Sequence, residues 1–155
     1  MTKQNKVVNI YRRLLPKIER FLGMENMTIS DIAIAKLPYS LPAFYNSSCI
    51  VCNKYYLNDP HLKCILAHEI VHDILDDYDM PDKRQSEKVL IEGIAEIAVR
   101  EVVDKDGEYT RRFMPQDKGD IHYRGYKIVD KIFQNSGRRG LKDLINKGEK
   151  EKCQD

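Results

Sequence analysis

The sequence predicts an α+β domain. Three observations lead there: an apolar helical stripe near the N-terminus, two short β-type stretches behind it, and two longer helical patterns in the middle of the chain. The length, 155 residues, is one domain's worth. We place a single compact domain at 1–147 and a charged, loose tail at 148–155.

Each element has its own signal. Val7, Ile10, Tyr11, Leu14, Ile18, Phe21 and Leu22 recur at helical spacing, Gly23 closes the helix, and Pro16 is a candidate kink. Residues 28–37 alternate through Ile32 and Ile34 and read as a strand. Residues 37–44 carry prolines at 38 and 42 and read as a loop. Residues 47–57, with Ile50, Val51, Tyr55 and Tyr56, read as a second strand. Asp59-Pro60 is a helix start, with Asp59 as N-cap, and Leu62, Ile65, Leu66, Ile70, Ile74 and Leu75 continue it. After the acidic turn 76–81 a further helix runs over about 82–103. A polar connection, 104–120, follows. A helix then carries Ile128, Val129, Ile132 and Phe133 to a stop at Gly137, and Leu141, Leu144 and Ile145 suggest a last short helix.

Composition narrows the function classes. With 26 basic and 24 acidic residues the net charge is +2, which gives no electrostatic case for nucleic acid. No run of about 18 apolar residues offers a membrane span, and the N-terminal stretch lacks a signal-peptide pattern. The expected compartment is the cytoplasm, with reduced thiols. Cys49 and Cys52 lie three apart on a strand, facing opposite ways, and no second pair completes a zinc knuckle.

The chemistry concentrates in His68-Glu69-Ile70-Val71-His72, an HExxH pattern on a partly buried helix. Residues four apart share a helix face, so His68 and His72 can reach one metal ion, with Glu69 beside it as general base. Catalytic zinc takes three protein ligands and keeps one position open, so a third ligand is required. Glu92 and Glu96 are four apart in the otherwise small and apolar stretch 91–99. Carboxylates on such a helix need partners or a metal. Glu92 is the candidate third ligand and Glu96 the candidate acceptor for a histidine N–H. Gly93, mid-helix, costs about 1 kcal/mol against alanine, and a close approach of the motif helix would explain it. Two imidazoles and one carboxylate favour a single zinc ion.

HEIVH followed by EGIAE resembles the gluzincin group of zinc metallopeptidases, nearest the small soluble minigluzincins and the aminopeptidase-like catalytic domains. The resemblance covers residues 67–97. It implies a zincin-like fold, hydrolysis of peptide bonds in a peptide or protein substrate, and limited proteolysis. It also implies an edge strand before the motif helix that pairs with the substrate backbone, here 47–57. The metzincin pattern fails, because it needs glycine at 75 and histidine at 78, where the chain has Leu75 and Tyr78. In aminopeptidase-type members a tyrosine three places before a glycine steadies the oxyanion. Aligned on Gly125, that position is His122, with Tyr123 one place off register, so either residue is a catalytic candidate. Two other readings stay open: a regulatory metallopeptidase that cuts one partner such as a repressor, and a non-catalytic zinc domain. Cys153, on the tail, is a candidate latency ligand.

Overall fold

The computed structural model describes residues 2–24, 29–77, 85–115 and 117–150. Within them the chain is α+β, with α1 (Lys3–Leu22), β1 (Asp31–Ala35), β2 (Ala43–Asn46), β3 (Cys49–Asn53), α2 (Leu62–Asp77), α3 (Gln85–Val102), α4 (Glu108–Phe113) and α5 (Ile121–Lys150). No described helix is long and apolar enough to cross a membrane.

Helix α1 forms where its stripe predicts. The Thr2 hydroxyl accepts the Asn5 N–H at its start, and Gly23 closes it at φ 71, its N–H returning to the Glu19 carbonyl. Val7, Tyr11, Leu14, Ile18, Phe21 and Leu22 are all buried. Asp59 caps the entry to α2 as expected, accepting the His61 N–H at 2.8 Å, although regular helix starts at Leu62. Gly137, with φ 57 and ψ −148, breaks α5 where a stop was expected, and helix resumes behind it. That helix continues through Lys150, into the segment read as tail, while 151–155, including Cys153, lie outside the described residues. The acidic turn at 76–81 is described only as far as residue 77.

A small mixed or antiparallel sheet with an edge strand for substrate was expected, and the sheet is small and mixed, in the order β1-β3-β2, with β1 parallel and β2 antiparallel to β3. It differs from expectation in which strand lies at the edge. The strand expected to form a substrate-binding edge, 47–57, supplies β3, which is the middle strand and has both edges paired. Among the described residues the open edge beside the motif helix is β2, whose first two residues fall in the stretch read as loop and whose last two, 45–46, had no reading. Pro42 sits just before β2, where the missing N–H costs no ladder bond. The β2–β3 turn is made by Ser47 at φ 45, without the glycine that would announce a hairpin. A second correction is α4, inside the stretch read as a polar connection. Its first turn is held by Asp104, which accepts the Tyr109 N–H, the Thr110 N–H and the Thr110 hydroxyl at 2.8–2.9 Å.

Helices α2 and α3 form the centre, with α1 and α5 against them. Leu66, Ala67, Ile70, Val71 and Ile74 from α2 and Ile94, Ala95, Ile97 and Ala98 from α3 are fully enclosed. The core also contains a buried polar knot. Asp73, fully buried, accepts the Tyr11 hydroxyl at 3.0 Å and the Ser30 hydroxyl at 2.6 Å. It ties α1 and the start of β1 to the residue next to His72, fixing the rotation of the motif helix. Tyr11→Phe should cost about 1.5–3 kcal/mol, the range for a hydrogen bond to a charged group. Urea unfolding would show it as a lower midpoint at unchanged slope. An unchanged midpoint would mean that this hydroxyl does not steady the carboxylate.

Candidate metal centre

The spacing of the motif sets the site. His68 and His72 project from one face of α2, and Glu92 and Glu96 from the facing side of α3. His68 Nε2 lies 3.0 Å from Glu92 Oε2 and 3.1 Å from His72 Nε2. His72 Nε2 lies 3.5 Å from the same Glu92 oxygen. For metal–ligand bonds of about 2.0–2.1 Å, adjacent ligands of a tetrahedral site stand about 3.4 Å apart. The triangle therefore has the size of one tetrahedral face. Hydrogen bonds serve it poorly, because a proton on either ring nitrogen satisfies one contact and leaves another lone pair facing a lone pair. A small cation satisfies all three. The residues fit a zinc-type ion.

Glu96 stands behind the triangle. Its Oε1 is 3.4 Å from His68 Nδ1, too poorly aligned for a hydrogen bond, and Nδ1 is a buried polar atom without one. A small rotation of the ring would make the carboxylate–histidine contact that orients metal-ligating imidazoles. His122, at the start of α5, completes the wall, with Nδ1 3.1 Å from Glu92 Oε2 and 3.6 Å from Glu96 Oε1. Two overlapping groups of ligand-capable atoms result, His68–His72–Glu92 and His68–Glu96–His122.

The electrostatics favour bound positive charge. Burial pushes Glu92 up, but His68 and His72 against it hold its carboxyl far below the usual range. Burial likewise opposes ionisation of Glu96, yet His122 and His68 bring it down to about 2. Burial alone would lower His68, while Glu92 and Glu96 hold it well above an ordinary imidazole. His122 is raised too, chiefly by Glu96. Both carboxylates are therefore held in the charged form.

Glu69 is buried at 9 % exposure and lines the cavities on both sides of the cluster. Tyr123 does not line either cavity, and its ring lies 6.0 Å from the Lys127 ammonium. Of the two aligned candidates, His122 is the one brought to the cluster.

A cleft of about 580 Å³ runs from the cluster along β2. Ala43, Phe44, Tyr45 and Asn46 form one wall and Lys88 and Ile91 of α3 the other. The Tyr45 hydroxyl donates to Asp76 Oδ2 at 2.9 Å and joins β2 to the end of α2.

The crossing of α3 and α5 places His122. Gly93 and Gly125 meet backbone to backbone. A Cβ on Gly93 would overlap the Gly125 carbonyl and stand 2.6 Å from Val129 Cγ2. The close approach expected at Gly93 is therefore made by α5, not by the motif helix. Arg100 reinforces the crossing, donating to Asp130 Oδ1 at 2.6 Å and to the Tyr126 hydroxyl at 3.0 Å.

Several contributors escaped the sequence reading: Asp73, Asp104, Arg100, Tyr109 and the β2 wall. Arg100 and Asp104 directly follow apolar residues, Val99 and Val103, and look like the ordinary polar end of a helix. Asp73 carried a weak signal, an acid directly after the motif in a helix otherwise rich in apolar residues. The four expected ligand and support residues, His68, His72, Glu92 and Glu96, are brought together. Among the described cysteines Cys49, Cys52 and Cys64 are free, and burial pushes the Cys52 and Cys64 thiols up to about 12. No family model, curated protein or solved structure matches this chain significantly.

Proposed function

We propose that this protein is a zinc-dependent peptide hydrolase of the gluzincin type. The observation that carries the reading is the triangle of His68 Nε2, His72 Nε2 and Glu92 Oε2, with sides of 3.0–3.5 Å, beside the buried Glu69 carboxylate. His68, His72 and Glu92 would hold the ion. Bound there, zinc supplies Lewis acidity toward a scissile carbonyl and lowers the pKa of water toward 7. Glu69 takes the proton of the attacking water and hands it to the leaving amine. Glu96, with Oε1 3.4 Å from His68 Nδ1, would orient that ring once the ring turns to donate to it. His122 donates a ring N–H to the oxygen on which charge develops. The free edge of β2 offers backbone donors and acceptors to an extended peptide, so the substrate is a peptide or an unfolded segment.

Metal analysis with and without Glu92 tests the reading. Purified wild-type chain, dialysed with zinc and then against buffer, should retain one ion per chain. Glu92→Ala should lose affinity by more than the roughly 10–100-fold that removal of an outer partner costs. The wild-type chain, zinc-loaded, should cleave casein, and a chain that retains no zinc would overturn the proposal. Cleavage confined to a single partner protein would favour the regulatory reading within the same chemistry.

A further inference from the structure

We propose that the face formed by α1 and α5 binds the phosphate backbone of a nucleic-acid duplex, without regard to its sequence. The face uses none of the cluster residues, so it stands or falls apart from the hydrolytic reading.

The net charge of +2, which by itself gives no case for nucleic acid, conceals a segregation. Helix α1 and residues 121–146 together carry 12 basic and three acidic residues, while the rest of the chain carries 14 basic and 21 acidic. A partner feels the local field of the face it meets, not the sum over the chain. The cations also fall in rows. Arg13, Lys17 and Arg20 stand four and seven apart on α1, and Arg124, Lys127 and Lys131 stand three and seven apart on α5; all six are exposed. Such spacings put each row on one side of its helix. The helices meet at the end of α1. The Phe21 and Phe133 ring centroids are 5.8 Å apart, the Arg138 guanidinium lies 5.6 Å from the Phe21 ring centre, and a Cβ on Gly23 would stand 3.9 Å from Lys142 Cδ. Arg138 and Lys142, both exposed, therefore continue the α1 row. Of the three acids, Asp130 is paired with Arg100 at 2.6 Å, and Glu19 and Asp143 remain to set against the cations.

The chemistry of the face selects the occupant. Half of its basic residues are arginines, whose planar forks match phosphate oxygens. A membrane surface asks for bulky apolar side chains that enter it beside the charges. Among the described large apolar residues that stand exposed, Ile128 is the one on these two helices, at 45 %. A single strand asks for exposed rings on which its bases stack. The exposed rings among the described residues, Tyr39 and Tyr55, lie outside both helices. A duplex asks only for cations set along its backbone, and contacts to phosphate carry no sequence information.

Fluorescence anisotropy of the full chain with labelled DNA duplexes tests the face, and it needs neither zinc nor turnover. Two duplexes of unrelated sequence should bind with the same affinity. Contact with about five phosphates gives a slope of log affinity against log salt near −4.5, a loss of about 500-fold between roughly 50 and 200 mM salt. Lys17→Glu combined with Lys142→Glu should weaken binding by about tenfold or more and flatten that slope. Both side chains are exposed, so the urea midpoint should stay at the wild-type value. Lys63→Glu combined with Lys105→Glu makes the same change in net charge at exposed positions off this face, and should leave binding unchanged. Vesicles of phosphatidylcholine with about 30 % phosphatidylserine provide the competing surface, and sedimentation with them should be weak. No binding to duplex at low salt would overturn the proposal. Equal losses in the two charge-reversed variants would overturn the assignment to this face. Tighter binding to the vesicles than to duplex would give the face to anionic lipid instead.

Discussion

Glu69→Gln should abolish turnover, by about a thousandfold or more, while zinc content stays at the wild-type level. General-base catalysis supplies roughly 10²–10⁴-fold, and the amide cannot accept the proton. Glutamine matches glutamate in shape, so the substitution removes a charge and leaves no hole. Glu69 is 9 % exposed, and the isosteric amide keeps the packing around it. Thermal stability should therefore be unchanged. This combination separates the competing readings. In a structural zinc domain the glutamate has no proton to move, and the variant would match wild type in every property. In the hydrolase, activity collapses alone. Wild-type rates of peptide cleavage in the zinc-loaded variant would end the proposed mechanism, whatever the metal analysis showed. Alanine is the poorer probe, since it opens space beside the cluster and mixes a cavity penalty with the loss of the base.

The site was legible to the extent that its geometry is local. His68, Glu69 and His72 are held by one helix, and their relation is fixed by helix pitch alone. Glu92 and Glu96 were legible by contrast, as acids in an apolar stretch that had to be answered by something. His122 was reached only through its distance from Gly125, and the reason now has a physical form. Gly125 is the contact point of α5 on α3, and His122 lies one turn before it, above Glu92. What the sequence did not show depends on partners distant along the chain. Tyr11, Ser30 and Asp73 are ordinary residues until folding brings them together. The β2 edge was hidden because Pro38 and Pro42 mark a loop and the Ser47 turn lacks the usual glycine. Helix α4 was hidden because its stability comes from Asp104 and from tertiary aromatic contacts rather than from an apolar stripe.

The largest stability effect is expected from Gly93→Ala, a single methyl group on the face of α3 opposite no solvent at all. In most helices this change is favourable by about 1 kcal/mol, because glycine is the poorer helix former. Here the added Cβ overlaps the Gly125 carbonyl, a backbone atom of a packed helix that no rotamer change can move. Gly125→Ala meets the same obstacle from the other side, overlapping the Val89 carbonyl and standing 2.7 Å from the Gly93 nitrogen. Relief requires α3 and α5 to separate, and that also strains the Arg100–Asp130 pair and the contact of Val129 with the core. Overpacking of this kind costs 1–3 kcal/mol where side chains can yield, and a backbone clash belongs at or above the top of that range, about 3 kcal/mol or more. Urea unfolding should show a much lower midpoint. The damage should also reach the chemistry selectively. Moving α5 withdraws His122 from Glu92 while His68, His72 and Glu92 remain on the α2–α3 pair. The folded fraction of the variant should therefore keep its zinc and lose activity. Glycine at 93 is then a requirement of the crossing that seats His122, and a variant as stable as wild type would show that the two helices do not meet there.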